Sequence, residues 1–274
     1  MLSVRDIVKS FGGVRAVDGV GFSVARGEML GLIGPNGAGK TTLFNCLSGA
    51  LRPDAGSIEL EGVPVAGLPP DRVFALGLAR TFQIPRPFPE TSVLENVMLA
   101  SKDQSGEVFW RNWFSPGDAG GDGPGQAGSG GHRGARHPGR GAAEERRNRE
   151  RAMHWIRFVG LEPLAARPAR VLSGGQRKLL ELARVMTAEP RVVLLDEPAA
   201  GVAPRLLESI CDRIVELNRL GVTFVLIEHN LEMVMRLCGR VLVMAHGRVL
   251  VEGSPDAVRA DPRVVEAYLG GAPA

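Results

Sequence analysis

The chain has 274 residues, 44% of them hydrophobic, with 33 basic against 30 acidic side chains for a net charge of +3. That is apolar material enough for a core held without disulfides or metals, and so small a charge excess demands no nucleic-acid partner. No apolar run approaches the roughly 18–20 residues that span a bilayer, residues 1–6 carry no charged-then-apolar leader, and three scattered cysteines (Cys46, Cys211 and Cys238) make neither a disulfide framework nor a zinc pair and fit a reducing cytosol.

Residues 2–11 and 20–24 read as strands separated by Gly12, Gly13 and a polar turn. Residues 29–33 form a short apolar strand that runs into a glycine-rich turn. A helix over 40–48 follows, with Leu43, Phe44 and Leu47 at helical spacing. Residues 57–60 read as another strand. Composition changes after about Ser101. Over about 115–141 glycine dominates and almost nothing is apolar, so the stretch is expected to be a disordered loop. It divides the chain into two halves.

A charged helix is predicted over about 142–159, with Ala152, Trp155, Ile156 and Val159 as its apolar stripe. The arginine-rich stretch from 133 to 151 reads as a solvated loop and helix face. Residues 175–187 are helical, and residues 191–195 and 222–227 are continuous apolar strands. Strands apolar on both faces, alternating with helices, predict a parallel sheet covered on both sides. Residues 240–245 and 249–252 close the sheet as a hairpin, and one helix is expected over 255–269.

Three segments carry chemistry. Gly34-Pro35-Asn36-Gly37-Ala38-Gly39-Lys40-Thr41-Thr42 matches the P-loop pattern between a strand and a helix. Its glycines let successive N–H groups turn inward into an anion nest, Lys40 brings a point charge to the β and γ phosphates, and the Thr41 hydroxyl can ligate Mg²⁺. Val192-Val193-Leu194-Leu195-Asp196-Glu197 ends a buried strand in two carboxylates. Asp196 is suited to hold the metal, and Glu197 to orient or deprotonate water. Leu172-Ser173-Gly174-Gly175-Gln176 opens a helix with an N-cap serine and two glycines, a second anion site at a positive helix end.

In this order the three segments resemble the ATP-binding subunits of ABC transporters, over nearly the whole chain except the glycine-rich loop. The resemblance implies an α/β, P-loop NTPase fold of ABC type, with a parallel core sheet, an N-terminal antiparallel β region and a helical subdomain at about 84–188, all within a single domain over 1–274. It implies ATP and Mg²⁺ as ligands. It implies a head-to-tail pair of such subunits, in which Ser173, Gly174, Gly175 and Gln176 complete the partner's nucleotide site. Gln83, in Ala79-Arg80-Thr81-Phe82-Gln83, takes the place of the glutamine that meets Mg²⁺ and water and links to the membrane part. His229 takes the place of the switch histidine at the γ-phosphate, and Phe11 that of the aromatic that stacks on adenine. One position departs from the pattern: Ala203 stands where the family carries a polar Asp or Asn before a proline, a residue that couples the two sites.

Arg80-Thr81-Phe82-Gln83, Val93-Leu94-Glu95-Asn96-Val97 and the run from Asp261 to Gly270 are similar to ATPases of branched-chain amino-acid importers. That group includes relatives for urea or short amides, and a non-transport ABC ATPase is the competing class. The resemblance implies two transmembrane permease subunits, a second ATPase subunit that is a paralogue, an extracytoplasmic solute-binding protein, no nucleic acid, and a peripheral place at the cytoplasmic face of the membrane. The stiff run Ile84-Pro85-Arg86-Pro87-Phe88-Pro89 is expected to dock a short permease helix.

Overall fold

The computed structural model describes residues 1–81, 86–100 and 138–269. Strands β1 (Leu2–Phe11), β2 (Val14–Val24), β4 (Ala55–Leu60) and β5 (Val63–Pro64) form an antiparallel sheet in the order β2-β1-β4-β5. The second sheet has six strands in the order β10-β9-β3-β8-β7-β6. They are β3 (Met29–Ile33), β6 (Leu78–Arg80), β7 (Val192–Asp196), β8 (Thr223–Ile227), β9 (Arg240–Ala245) and β10 (Arg248–Gly253). All neighbours run parallel except the β9–β10 hairpin.

Period-two alternation divides the parallel strands between two cores. Val193 and Leu195 of β7, Phe224 and Leu226 of β8, and Val241 and Val243 of β9 face one apolar cluster. Val192 and Leu194, Val225 and Ile227, and Leu242 and Met244 face the other. The first face is covered by helices α3 (Val93–Met98), α4 (Pro138–Phe158), α5 (Gly174–Thr187), α6 (Pro204–Arg219), α7 (Leu231–Leu237) and α8 (Pro255–Ala260). The second is covered by helix α1 (Lys40–Leu47), by Val73 of helix α2 (Pro70–Ala75), and by Leu2, Val4 and Ile7 of the antiparallel sheet. The unbroken apolar runs at 192–195 in β7 and 224–227 in β8 thus follow from burial on both faces.

Three boundaries differ from the sequence reading by more than two residues. β2 starts at Val14 rather than at residue 20, because pairing with β1 carries it through Asp18 and Gly19, where register shifts absorb the polar interruption. Helix α4 starts at Pro138, inside the stretch assigned to loop; a first-turn proline is compatible with a helix start. The C-terminal helix is two helices, α8 and α9 (Pro262–Leu269), broken at Asp261. The residue before a proline is steered to extended backbone, and Asp261 has φ −77° and ψ 119°. Residues 101–137, which include most of the glycine-rich stretch, lie outside the described residues. Among the described residues, no helix is long and apolar enough to cross a membrane.

Candidate active site

Strand β3 delivers its C-terminal end into the loop from Gly34 to Gly39. Gly34 has φ +149°, and a Cβ there would meet the Met244 carbonyl oxygen at 2.1 Å. Gly39 has φ +97°, and a Cβ there would meet the Ala16 carbonyl oxygen at the same 2.1 Å. Only glycine fits these two positions, so the loop is pressed against β2 and β9 by backbone contact. The Gly247 N–H donates to the Ala38 carbonyl at 3.2 Å and fixes the loop to the β9–β10 turn.

Lys40 opens α1 and is buried, 6% exposed. Its Nζ donates to the carbonyls of Gly34 at 2.7 Å and Pro35 at 2.9 Å, curling over the loop. Burial pulls its pKa below the ordinary lysine value, and the nearby carboxylates of Glu197 and Asp196 oppose that pull. The loop, the ammonium and both acids of β7's end therefore share one place. Thr41 and Thr42 follow in the first turn of α1. A glycine-shaped loop at a helix start, beside a buried cation, is suited to a polyphosphate.

Asp196 ends β7 and is 4% exposed. Its N–H donates to Thr81 Oγ1 at 3.2 Å, and the Arg80 guanidinium Nη2 donates to its Oδ2 at 2.7 Å. Glu197 takes a left-handed backbone, φ +48°. Two anchors hold that conformation: its N–H donates to the Ile227 carbonyl at 2.9 Å, and Lys178 Nζ donates to its carbonyl at 2.6 Å. A non-glycine residue held this way at a strand end is a mark of a functional position. His229 Nε2 lies 3.1 Å from Glu197 Oε1.

Sequence reasoning missed Glu228, which is 2% exposed. Its Oε1 accepts from the Ala199 N–H at 2.6 Å, and its Oε2 from the N–H groups of His229 at 3.0 Å and Asn230 at 3.2 Å. The carboxylate thereby ties the loop that carries His229 to the loop that follows Glu197. The only sequence signal was an acid at the C-terminal end of an apolar strand, beside the histidine.

The segment from Ser173 begins α5, on the helical side of the sheet. Ser173 Oγ accepts from the Gln176 N–H at 3.3 Å, and Gln176 Oε1 accepts from the Ser173 N–H at 2.9 Å. This reciprocal capping box gives Gln176 an intrachain partner. A Cβ at Gly175 would sit 2.2 Å from Leu206 Cδ2, so the helix start packs against α6, whereas Gly174 meets only the Gly201 carbonyl oxygen, at 3.6 Å. Phe11, at the tip of the β1–β2 hairpin, is 49% exposed, with Lys9 Nζ 5.8 Å from its ring centroid. It is no core residue. Gln83 lies outside the described residues.

Ala203 occupies the N-cap of α6 without any side-chain cap. Asn96, fully buried on α3, accepts from the Phe88 N–H at 2.8 Å and donates to its carbonyl at 3.0 Å. That clamp presents Phe88, 36% exposed, at the surface after Pro87. A further approach comes from α9, whose Tyr268 side chain reaches the Gly34 backbone.

A family model described as ABC transporter matches residues 17–200, and one described as branched-chain amino acid ATP-binding cassette transporter matches residues 248–274. The high-affinity branched-chain amino acid transport ATP-binding protein BraF of Pseudomonas aeruginosa is 37% identical over 271 residues, covering 98% of both chains. LivG of Escherichia coli K12, with the same description, is 36% identical over 271 residues and also covers 98% of both. The crystal structure of an ATP-binding cassette of an ABC transporter in its ADP conformation is similar with a TM-score of 0.80, at 33% identity over 98% of both chains. A nucleotide-free cassette gives 0.79 at 33% identity, over 97% of this chain and 98% of that one.

Proposed function

The chain belongs to the ABC transporter ATP-binding family, and from that premise we propose that it hydrolyses Mg-ATP at Lys40, Asp196 and Glu197 to power uptake of branched-chain amino acids through partner permease subunits. One observation carries the catalytic reading: Glu197, on a strained backbone, and His229 meet at 3.1 Å beside the loop that holds Lys40.

The loop formed by Gly34, Pro35, Asn36, Gly37, Ala38, Gly39, Lys40, Thr41 and Thr42 cradles the phosphates, with backbone N–H groups supplied by its residues other than Pro35, which has none. Lys40 exchanges its bonds to the loop carbonyls for bonds to the β and γ phosphates. Phe11 stacks on the adenine. Thr41 and Asp196 offer a hydroxyl and a carboxylate, a hard-oxygen donor set suited to Mg²⁺. Among the described residues no group of three or more His, Cys, Asp or Glu could hold a metal by itself. The remaining ligands would come from the phosphates and water, with Gln83 as a further contributor. When bound, Mg²⁺ neutralises charge on the phosphate oxygens.

Glu197 orients the attacking water and accepts its proton, and His229 holds the γ-phosphate side of that arrangement. In-line attack bonds the water oxygen to the γ-phosphorus as the bond to the β–γ bridging oxygen breaks, giving ADP and phosphate. The half-site is completed by Ser173, Gly174, Gly175 and Gln176 of a second ATPase subunit, a paralogue, so that binding closes the pair and hydrolysis reopens it. The helical subdomain at about 84–188, through Gln83 and the surface around Phe88, passes that motion to two permease subunits. The chain then sits peripherally at the cytoplasmic membrane face, fed by an extracytoplasmic solute-binding protein. The C-terminal family match and the description of BraF and LivG support this solute class.

The test is reconstitution with permease and binding protein in liposomes. The native chain should release phosphate and accumulate leucine, isoleucine or valine, and Lys40→Ala should do neither. Turnover unchanged in Lys40→Ala would refute the site, and turnover without amino-acid uptake would refute the solute.

A further inference from the structure

Arg80 ends β6 as a guanidinium buried to nine-tenths of its surface and paired with an equally buried Asp196. It is one of the few buried charges near the site to which the hydrolysis scheme gives no task. Its Nη2 donates to Asp196 Oδ2 at 2.7 Å, and its Nη1 donates to Asn45 Oδ1 at 2.5 Å and lies 3.4 Å from Ser48 Oγ. The guanidinium carbon sits 5.7 Å from the centre of the Phe44 ring. Nε has no partner among the described residues, so the two Nη atoms set the position of the fork.

These contacts add a polar tie between two elements that already share one apolar cluster. Asn45, Ser48 and Phe44 belong to α1 and its C-cap, and α1 also carries Lys40 and Thr41. Asp196 belongs to β7. The two oxygen ligands suited to Mg²⁺ therefore sit on elements bridged by one planar side chain. Arg80 engages Oδ2 of the carboxylate and leaves Oδ1 for a cation. It also stands three residues before Gln83 in the sequence.

We propose that Arg80 is a positioning residue for the metal site: it fixes the Asp196 carboxylate against the helix that carries Thr41. The inference rests on the ATPase reading of the site. Two effects of removing Arg80 oppose each other. Loss of a nearby positive charge favours a cation, whereas loss of the hydrogen-bonded partner frees the carboxylate and leaves it buried and unpaired. Outer-shell partners of ligating carboxylates are worth about 10- to 100-fold in metal affinity, and orientation dominates in a site this dry. Lysine cannot replace the fork, because a single ammonium reaches Asp196 or Asn45 without bridging them in one plane.

The experiment measures binding of a fluorescent trinitrophenyl-ATP to the full chain, first in excess chelator and then along a Mg²⁺ titration. Arg80→Met should bind the nucleotide without Mg²⁺ as the native chain does and should need about 10- to 100-fold more Mg²⁺ for half-maximal response. Arg80→Lys should fall between the two. Asn45→Ala, which keeps the ion pair and removes the shorter of the two Nη1 contacts to α1 and its cap, should shift the midpoint upward several-fold and carries the test if Arg80→Met does not fold. An unshifted or lowered Mg²⁺ midpoint in the variants would overturn the proposal, as would an equal loss of affinity with and without Mg²⁺. Failure of the native chain itself to bind the nucleotide would instead overturn the ATPase reading.

Discussion

His229 Nε2 and Glu197 Oε1 stand 3.1 Å apart, joining the loops that follow β8 and β7. Glu228 braces both loops through three backbone N–H groups. The pair is therefore set by the fold. Glu197→Gln keeps the shape and a hydrogen-bonding partner for His229, and it removes the base. Phosphate release should drop by about 10²- to 10⁴-fold while ATP binding persists. Sedimentation with ATP should show a stalled dimer with the second ATPase subunit, and a purely monomeric ATP-bound species would count against the closed pair.

Gly39→Ala tests the claim that backbone contact shapes the loop. The new methyl would lie 2.1 Å from the Ala16 carbonyl oxygen, on a residue with φ +97°. Neither can be relieved by a side-chain rotation. Strain and overpacking together predict a loss of about 2–4 kcal/mol in urea denaturation, with nucleotide affinity lost in the folded fraction.

Ala203→Asp restores an N-cap to α6. Ala203 has φ −64° and ψ 144°, the extended backbone of a cap residue, with Pro204 in the first helical position. An oxygen there can accept from first-turn N–H groups and adds a negative charge at the positive helix end. The expected gain is about 0.5–1 kcal/mol, seen as a thermal midpoint raised by roughly 1–2 °C. A lowered midpoint would show that the position is shaped by something other than capping.

Alkaline pH should expose the thiols. Burial pushes the Cys238 thiol up to about 12 and Cys46 up to about 11, against an ordinary 9.0. Folded pKa values above the unfolded ones mean that the native chain binds more protons in this range. The contribution is complete below about pH 9 and is lost as pH rises toward 11 and 12. Stability measured from pH 8 to 11 should fall, and Cys238→Ala should flatten that slope while costing some stability at every pH.

The P-loop, the acidic strand end and the Ser173 cap were legible because each is written within a few consecutive residues. The alternating faces of β7 and β8 were legible too, since burial on both sides leaves an unbroken apolar run. Glu228 and Arg80 were not. Each takes its role from partners far along the chain: Arg80 meets Asp196 across 116 positions, and Glu228 meets Ala199 across 29. The N-terminal part of β2 was hidden because Asp18 and Gly19 break the alternation, while the half-buried Asp18 is satisfied by pairing with Arg15 and Arg248. The break between α8 and α9 was written in Pro262 but was masked by apolar spacing that runs through it.

The assembly of a nucleotide site from two subunits is tested most directly by phosphate release from Ser173→Arg in complex with its partners. In this chain Ser173 sits at the start of α5, capped by Gln176, and its own β7 is bridged to α5 through Lys178 and Glu197. The substitution should leave ATP binding at the chain's own P-loop intact and cut phosphate release from the complex by at least about 10²-fold. Release at the native rate, with nucleotide bound, would contradict a helix tip acting on the opposite subunit's nucleotide.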